Sequence, residues 1–86
     1  MEHPEMPAYL CHKRVHALKI REVIRQNDGS CVLAFEDSLF FPRHMARDWM
    51  IKNNPKGGGY LVRYADGYES WSPAGPFEDG YTRVAE

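Results

Sequence analysis

The chain has 86 residues, and its eleven Lys and Arg against twelve Asp and Glu give a net charge of -1 and a pI near 6.4. That length allows one domain with one small core, since so short a chain buries only about 60–65% of its unfolded surface. The near-neutral balance gives no global field toward nucleic acid or anionic lipid. With 43% hydrophobic residues and no run near the ~20 residues of a membrane span, it predicts a soluble globule.

Residues 1–8 carry two acids and two prolines, which predicts a flexible N-terminus rather than a secretory leader, with the folded domain over 9–86. Cys11 and Cys31 read as free thiols. Cys11, His12, His16 and Cys31 raise a zinc reading that the spacing argues against. In a strand His12 and His16 share a face while Cys11 points to the other, and no paired-ligand spacing is present.

From Val15 to Gln26 the chain alternates, with His16, Leu18, Ile20 and Ile24 on one side and Lys19, Arg21 and Arg25 on the other. This predicts a half-buried strand that enters a turn at Asn27-Asp28-Gly29-Ser30 and pairs with Cys31 to Glu36. Asp37-Ser38 breaks that second strand. Leu39-Phe40-Phe41 is a short apolar run ended by Pro42, which suits the first turn of a helix. The helix is predicted over Pro42–Asn53, with Met45, Ala46, Trp49 and Met50 as its apolar stripe, and Asn53-Asn54-Pro55 as its end.

Gly57-Gly58-Gly59 leads into a strand rather than a helix, so it reads as a flexible joint and a close backbone approach, not a phosphate loop. Tyr60–Ala65 and Tyr68–Ser72 flank Asp66-Gly67, the signal of a two-residue type I′ hairpin. That turn pairs Val62 with Trp71 and Leu61 with Ser72. It places Tyr60, Val62, Tyr64 and Trp71 on a core face, and Leu61, Arg63, Ala65, Tyr68, Ser70 and Ser72 on the other. Phe77 to Tyr81 reads as one helical turn, stopped by Gly80 in the left-handed conformation and stapled to the hairpin by Phe77 and Tyr81.

The predicted fold is a small α+β domain: an antiparallel sheet of four or five strands built from two hairpins, with one short helix packed on it. Its core is Trp49, Leu18, Ile20, Ile24, Val62 and Trp71. The exposed hairpin face, extended by Tyr81 and Arg83, is the candidate binding surface, and it comprises Arg63, Tyr68, Ser70, Ser72, Tyr81 and Arg83.

The stretch PKGGGYLVRYADGYESWSPAGPFEDGYTR, with Val15-His16-Ala17-Leu18-Lys19-Ile20 before it, resembles a group of small tailed-phage and prophage proteins. These join a Val-x-Ala-x-x-Ile strand to a terminal GGYxVxYxDGYxSWSPAxxFExGYTR. The resemblance runs from Tyr9 onward and departs at Gly75-Pro76, where members often carry Lys. It implies a phage gene product acting in the cytoplasm of the infected bacterium, as an accessory rather than a virion component.

Three readings stay open. The first is a non-enzymatic protein that binds and inhibits or modulates a host protein, such as a defence component. The second is an oligomeric sponge for a nucleotide immune signal, with Tyr68, Trp71 or Tyr81 stacking the base and Arg63 or Arg83 clamping phosphate. In the third, Lys13, Arg14, Lys19, Arg21 and Arg25 bind nucleic acid. No catalytic set is legible, because turn and helix-end chemistry explains Asp66, Glu69, Glu78 and Asp79, and Ser70 and Ser72 lack a histidine at a recognisable spacing. No cofactor or metal is expected.

Overall fold

The computed structural model describes residues 6–8 and 13–84. Cys11 and His12 of the zinc reading, most of the 1–8 segment, the domain boundary at Tyr9 and the final Glu86 lie outside the described residues. The elements run β1 (His16–Arg25), β2 (Cys31–Phe35), β3 (Arg43–Met45), α1 (Arg47–Asn53), β4 (Tyr60–Arg63), β5 (Glu69–Ser72) and α2 (Ala74–Gly80). All five strands form one antiparallel sheet in the order β3-β2-β1-β4-β5. Both expected hairpins are present, β1–β2 and β4–β5. They are not separate units, because β1 pairs with both β2 and β4.

Beta1 keeps its alternation only as far as Ile20. Ile20 pairs with Phe35 and Glu22 with Ala34, so Arg21 is an extra residue and the strand bulges there. A one-residue insertion exchanges the two faces. Ile20 is therefore fully buried, Val23 takes the next inward position opposite Leu33, and Ile24, expected in the core, is 44% exposed. The strand enters the predicted turn, where the Asp28 carboxylate accepts hydrogen bonds from the Ser30 hydroxyl and N–H at 2.5 and 2.9 Å. These bonds hold Asp28 below the usual carboxylate range.

The helix expected from Pro42 begins later. Arg43–Met45 is a strand instead, with Cys31 opposite Met45, Val32 opposite His44 and Leu33 opposite Arg43. β2 holds four of the buried hydrophobics, Cys31, Leu33, Ala34 and Phe35, and β3 satisfies its outer edge. Burial also raises the pKa of the Cys31 thiol. The predicted apolar stripe is thus shared between elements, Met45 reaching the core from β3 and Met50 from α1. α1 ends where expected: Asn54 is left-handed, with φ 44°, and its N–H donates to the Met50 carbonyl at 2.8 Å.

The second hairpin has a different register from the one Asp66-Gly67 predicts. Leu61 pairs with Trp71, Val62 with Ser70 and Arg63 with Glu69. Of the described residues, Asn54 is the one non-glycine with positive φ, so Asp66 does not adopt the conformation a type I′ turn needs. Instead the N–H of Gly67, with φ 88°, donates to the Tyr64 carbonyl, and the N–H of Tyr64 donates to the Tyr68 carbonyl, both at 2.9 Å. This closes a three-residue loop. Leu61, Arg63, Glu69 and Trp71 consequently share the interior face, while Tyr60, Val62, Ser70 and Ser72 share the other, where Val62 is fully buried as expected.

The sheet curls until its two edge strands approach, and Arg43 Nη1 on β3 lies 2.6 Å from Glu69 Oε2 on β5. α1 bridges the gap. The Trp49 indole N–H donates to the Glu69 carbonyl at 3.1 Å, and the Trp71 N–H donates to Asn53 Oδ1 at 3.0 Å, so helix side chains satisfy the outer edge of β5. Around the curl the order is β1-β2-β3, α1, β5-β4 and back to β1, the arrangement of a partly open five-stranded Greek-key barrel of the OB type. Ile20, Cys31, Leu33, Phe35, Met45, Met50 and Leu61 fill it, with Leu18, Val23, Trp49 and Trp71 packed against them.

α2 is the second helix, longer than the single turn expected. It leaves through an extended Tyr81 with φ -129°, and Gly80 is not left-handed. It is stapled to the opposite sheet face as expected, with Tyr60 stacked on Phe77 at 4.2 Å and Phe77 on Tyr81 at 4.7 Å between centroids. Glu78 accepts from the Tyr60 hydroxyl at 2.7 Å and from the Lys19 ammonium at 3.2 Å, which together hold its carboxyl below the usual range. The same bonds raise the pKa of Tyr60 and of Lys19.

A depressed acid adds stability above its unfolded-state pKa that is lost as pH falls through the folded value. Raised phenol and ammonium groups add stability below their unfolded-state values that is lost as pH rises through the folded ones. The Phe77 ring proton shifts are therefore expected to stay constant from below the ordinary carboxylate range to above the ordinary phenol and lysine range, and to move toward free values outside it. Glu78→Gln should abolish the acid limb. An unchanged acid limb in that variant would show that the carboxylate does not anchor α2.

Candidate functional site

Five strand termini meet at one end of the barrel: the starts of β1 (His16), β3 (Arg43) and β5 (Glu69), and the ends of β2 (Phe35) and β4 (Arg63). The loops 36–42 and 64–68 and the incoming residues 13–15 lie at the same end. Barrel mouths are common places for ligand sites, since the strands fix the position of each terminal side chain.

Asp37 shapes the longer loop. Its carboxylate accepts the Leu39 N–H at 3.0 Å and its carbonyl accepts the Phe40 N–H at 3.2 Å. The loop so held turns Leu39, Phe40 and Phe41 outward, and they are 84%, 48% and 89% exposed. Three consecutive large apolar side chains in water are unusual for a monomeric soluble surface. Beside them lies an open groove of about 340 Å³, with Leu18, Phe35 and Leu61 behind it, Phe40 and Phe41 along it, and Arg43, Arg63 and Glu69 at its rim.

The rim is charged. Glu69 Oε2 accepts from Arg43 Nη1 at 2.6 Å and from Arg63 Nε at 3.0 Å, so two guanidiniums share one carboxylate oxygen. The Glu69 side chain is 13% exposed, against 41% for Arg43 and 55% for Arg63. A surplus of one positive charge therefore faces solvent beside an apolar groove. A second open cleft, of about 530 Å³, is lined by Lys13, Arg14, Val15, Tyr64, Ala65, Asp66 and Tyr68. There the Tyr64 and Tyr68 rings stack at 6.1 Å between centroids, and Lys52 Nζ sits 4.9 Å from the Tyr68 ring.

The barrel distributes the sequence-predicted surface over three places. Arg63 and Tyr68 lie at the mouth. Ser70 and Ser72 lie on the other sheet face, opposite Val62 and Tyr60, because the three-residue loop shifts the register. Tyr81 belongs to the α2 stack, and Arg83 follows it on the exposed terminal stretch. His16, paired with Arg63, is on the opposite face from Ser70. Among the described residues no three His, Cys, Asp or Glu side chains cluster as metal ligands, and no helix is long and apolar enough to cross a membrane.

Arg43, Glu69, Phe40 and Phe41 are the residues that sequence reasoning did not include in the candidate binding surface. For the last two the sequence shows an apolar run between Asp37-Ser38 and Pro42, but not its exposure. The Arg43–Glu69 contact joins residues 26 apart and exists only because the sheet curls.

No protein-family model and no curated protein sequence matches the chain. Among solved structures, it is similar to the monomeric form of the phage L decoration protein, determined in solution by NMR. The two share 29% identity with a TM-score of 0.66. The similarity points to a phage protein. It covers 85% of this chain and 54% of the decoration protein, so the chain spans about half the length of its structural neighbour.

Proposed function

We propose that the chain is a non-enzymatic phage protein that docks on the surface of a capsid through the mouth of its barrel. The similarity to a decoration protein carries this reading, since decoration proteins bind capsids. The exposed Leu39-Phe40-Phe41 loop supplies what such docking needs, an apolar centre with a charged rim. The reading moves the partner from a host protein to the virion, and the place of action to capsids within the cytoplasm of the infected bacterium. The stacked Tyr64–Tyr68 pair with Lys13, Arg14 and Lys52 favours a second reading, a site for an aromatic anion such as a nucleotide.

Co-sedimentation with assembled, chain-free heads of the phage that encodes the protein tests the first reading. The protein is expected to pellet with the heads. Phe41→Ser should weaken that binding at least ~10-fold, the loss of about 1.4 kcal/mol or more typical of an interface anchor. Because Phe41 is so exposed, thermal unfolding should change by no more than about 0.5 kcal/mol. A protein that stays in the supernatant, yet captures one host polypeptide from an uninfected lysate, would return the reading to a host-directed inhibitor.

A further inference from the structure

We propose that the groove at the barrel mouth receives a segment of the partner polypeptide in which an apolar side chain is followed by an Asp or Glu. The apolar side chain would lie against Leu18, Leu61, Phe40 and Phe41, with the carboxylate on the guanidiniums of Arg43 and Arg63. This rests on the docking reading and names the chemistry of its partner at that site.

The argument is one of charge and shape. Arg43 donates to Glu69 through Nη1 alone and Arg63 through Nε alone, so among the described residues the other guanidinium nitrogens have no acceptor. A guanidinium with an unused edge is built for a second carboxylate, which it binds through two parallel N–H···O bonds. Glu69 neutralises one of the two positive charges, and the remaining unit matches a monoanion. A phosphate, with more charge and a larger hydration shell, is a poor match for a groove whose floor is Leu18, Phe35 and Leu61. At about 340 Å³ the groove suits one large side chain rather than a folded domain.

The probes are two capped tripeptides, acetyl-Phe-Glu-Gly-amide and acetyl-Phe-Gln-Gly-amide, titrated into the isotope-labelled full chain at low salt and followed by amide NMR shifts. The acid peptide is expected to bind at least ~5-fold more tightly than its amide twin, with shifts centred on Phe40, Phe41, Leu61 and Arg63. The preference should shrink in 0.5 M salt, where the Debye length is only about 4–5 Å. Arg63→Gln, at an exposed position that leaves the fold intact, should erase the preference. Glu69→Gln removes the resident carboxylate and should tighten the acid peptide several-fold, whereas a residue of purely structural importance would weaken it when replaced.

Equal affinity for the two peptides, a preference that survives Arg63→Gln, or shifts centred on Tyr64 and Tyr68 instead would each overturn the proposal. A chain that pellets with heads but does not discriminate the peptides keeps the capsid reading and loses this one. A chain that discriminates them but does not pellet keeps this one and loses the capsid.

Discussion

Gly59→Ala is expected to lower stability by about 3 kcal/mol or more, read as a fall in the midpoint of urea unfolding. An added Cβ would overlap the Trp71 indole nitrogen and would lie 2.7 Å from both the Ser72 carbonyl oxygen and the indole Cε2. The indole has little room to retreat, because its N–H donates to the Lys56 carbonyl at 3.3 Å while its ring packs on the core. The backbone cannot yield cheaply either, since the Gly59 carbonyl accepts the Ile20 N–H at 2.8 Å and Ser72 pairs with Tyr60. A domain of this size has only about 4–13 kcal/mol in total, so the variant should be partly unfolded at modest urea. Gly75→Ala is the control, with nothing within 4 Å of the added methyl, and should be neutral or slightly stabilising. A Gly59→Ala protein as stable as the control would mean that β4 and the Trp71 ring are not packed as described.

The Gly59 contact was legible in the sequence as a close backbone approach, and the Asp66-Gly67 turn, the end of α1 and the Phe77–Tyr81 staple were legible in the same way. The turn and the helix end are set by chemistry within a few residues, whereas the Gly59 contact and the staple show locally only as a glycine run and two rings four apart, with Trp71 and Tyr60 supplied by the fold. What failed depended on one dihedral or on distant partners. Asp66-Gly67 signals a turn in either hairpin type, and only the φ of Asp66 separates a two-residue loop from a three-residue one; that difference moves Ser70 and Ser72 away from Arg63. Arg43–Met45 is as compatible with a helix start as with a strand, and the open edge of β2 decides between them. Gly75 and Pro76 are poor helix residues, and α2 forms because Tyr60 and Lys19 hold Phe77 and Glu78 from outside it. At the mouth, Arg63 and Tyr68 were legible from their place beside the turn. The exposure of Leu39-Phe40-Phe41 was not, because an apolar run is ordinarily read as core and nothing local shows that the barrel is already full.

The bulge at Arg21 makes a sharp stability contrast between two neighbouring isoleucines. Ile20→Ala is expected to cost about 3–4 kcal/mol, and Ile24→Ala less than about 1 kcal/mol. By alternation alone the two isoleucines are equivalent, four residues apart on one face. Ile20 has no exposed surface, and both its backbone groups are engaged, its N–H with the Gly59 carbonyl and its carbonyl with the Gly58 N–H, each at 2.8 Å. Truncating it leaves a cavity among Leu33, Phe35 and Leu61 that a pinned backbone cannot close. Ile24 lies beyond the extra residue, across from Val32, and already faces solvent on one side, so its truncation removes few packing contacts. Equal costs for the two substitutions would remove the bulge and return Ile24 to the interior, with Val23 outside. A large difference fixes the phase of β1 on both sides of Arg21. On the near side that phase also carries Leu18 into the mouth groove, so the same pair of measurements tests the floor on which peptide docking depends.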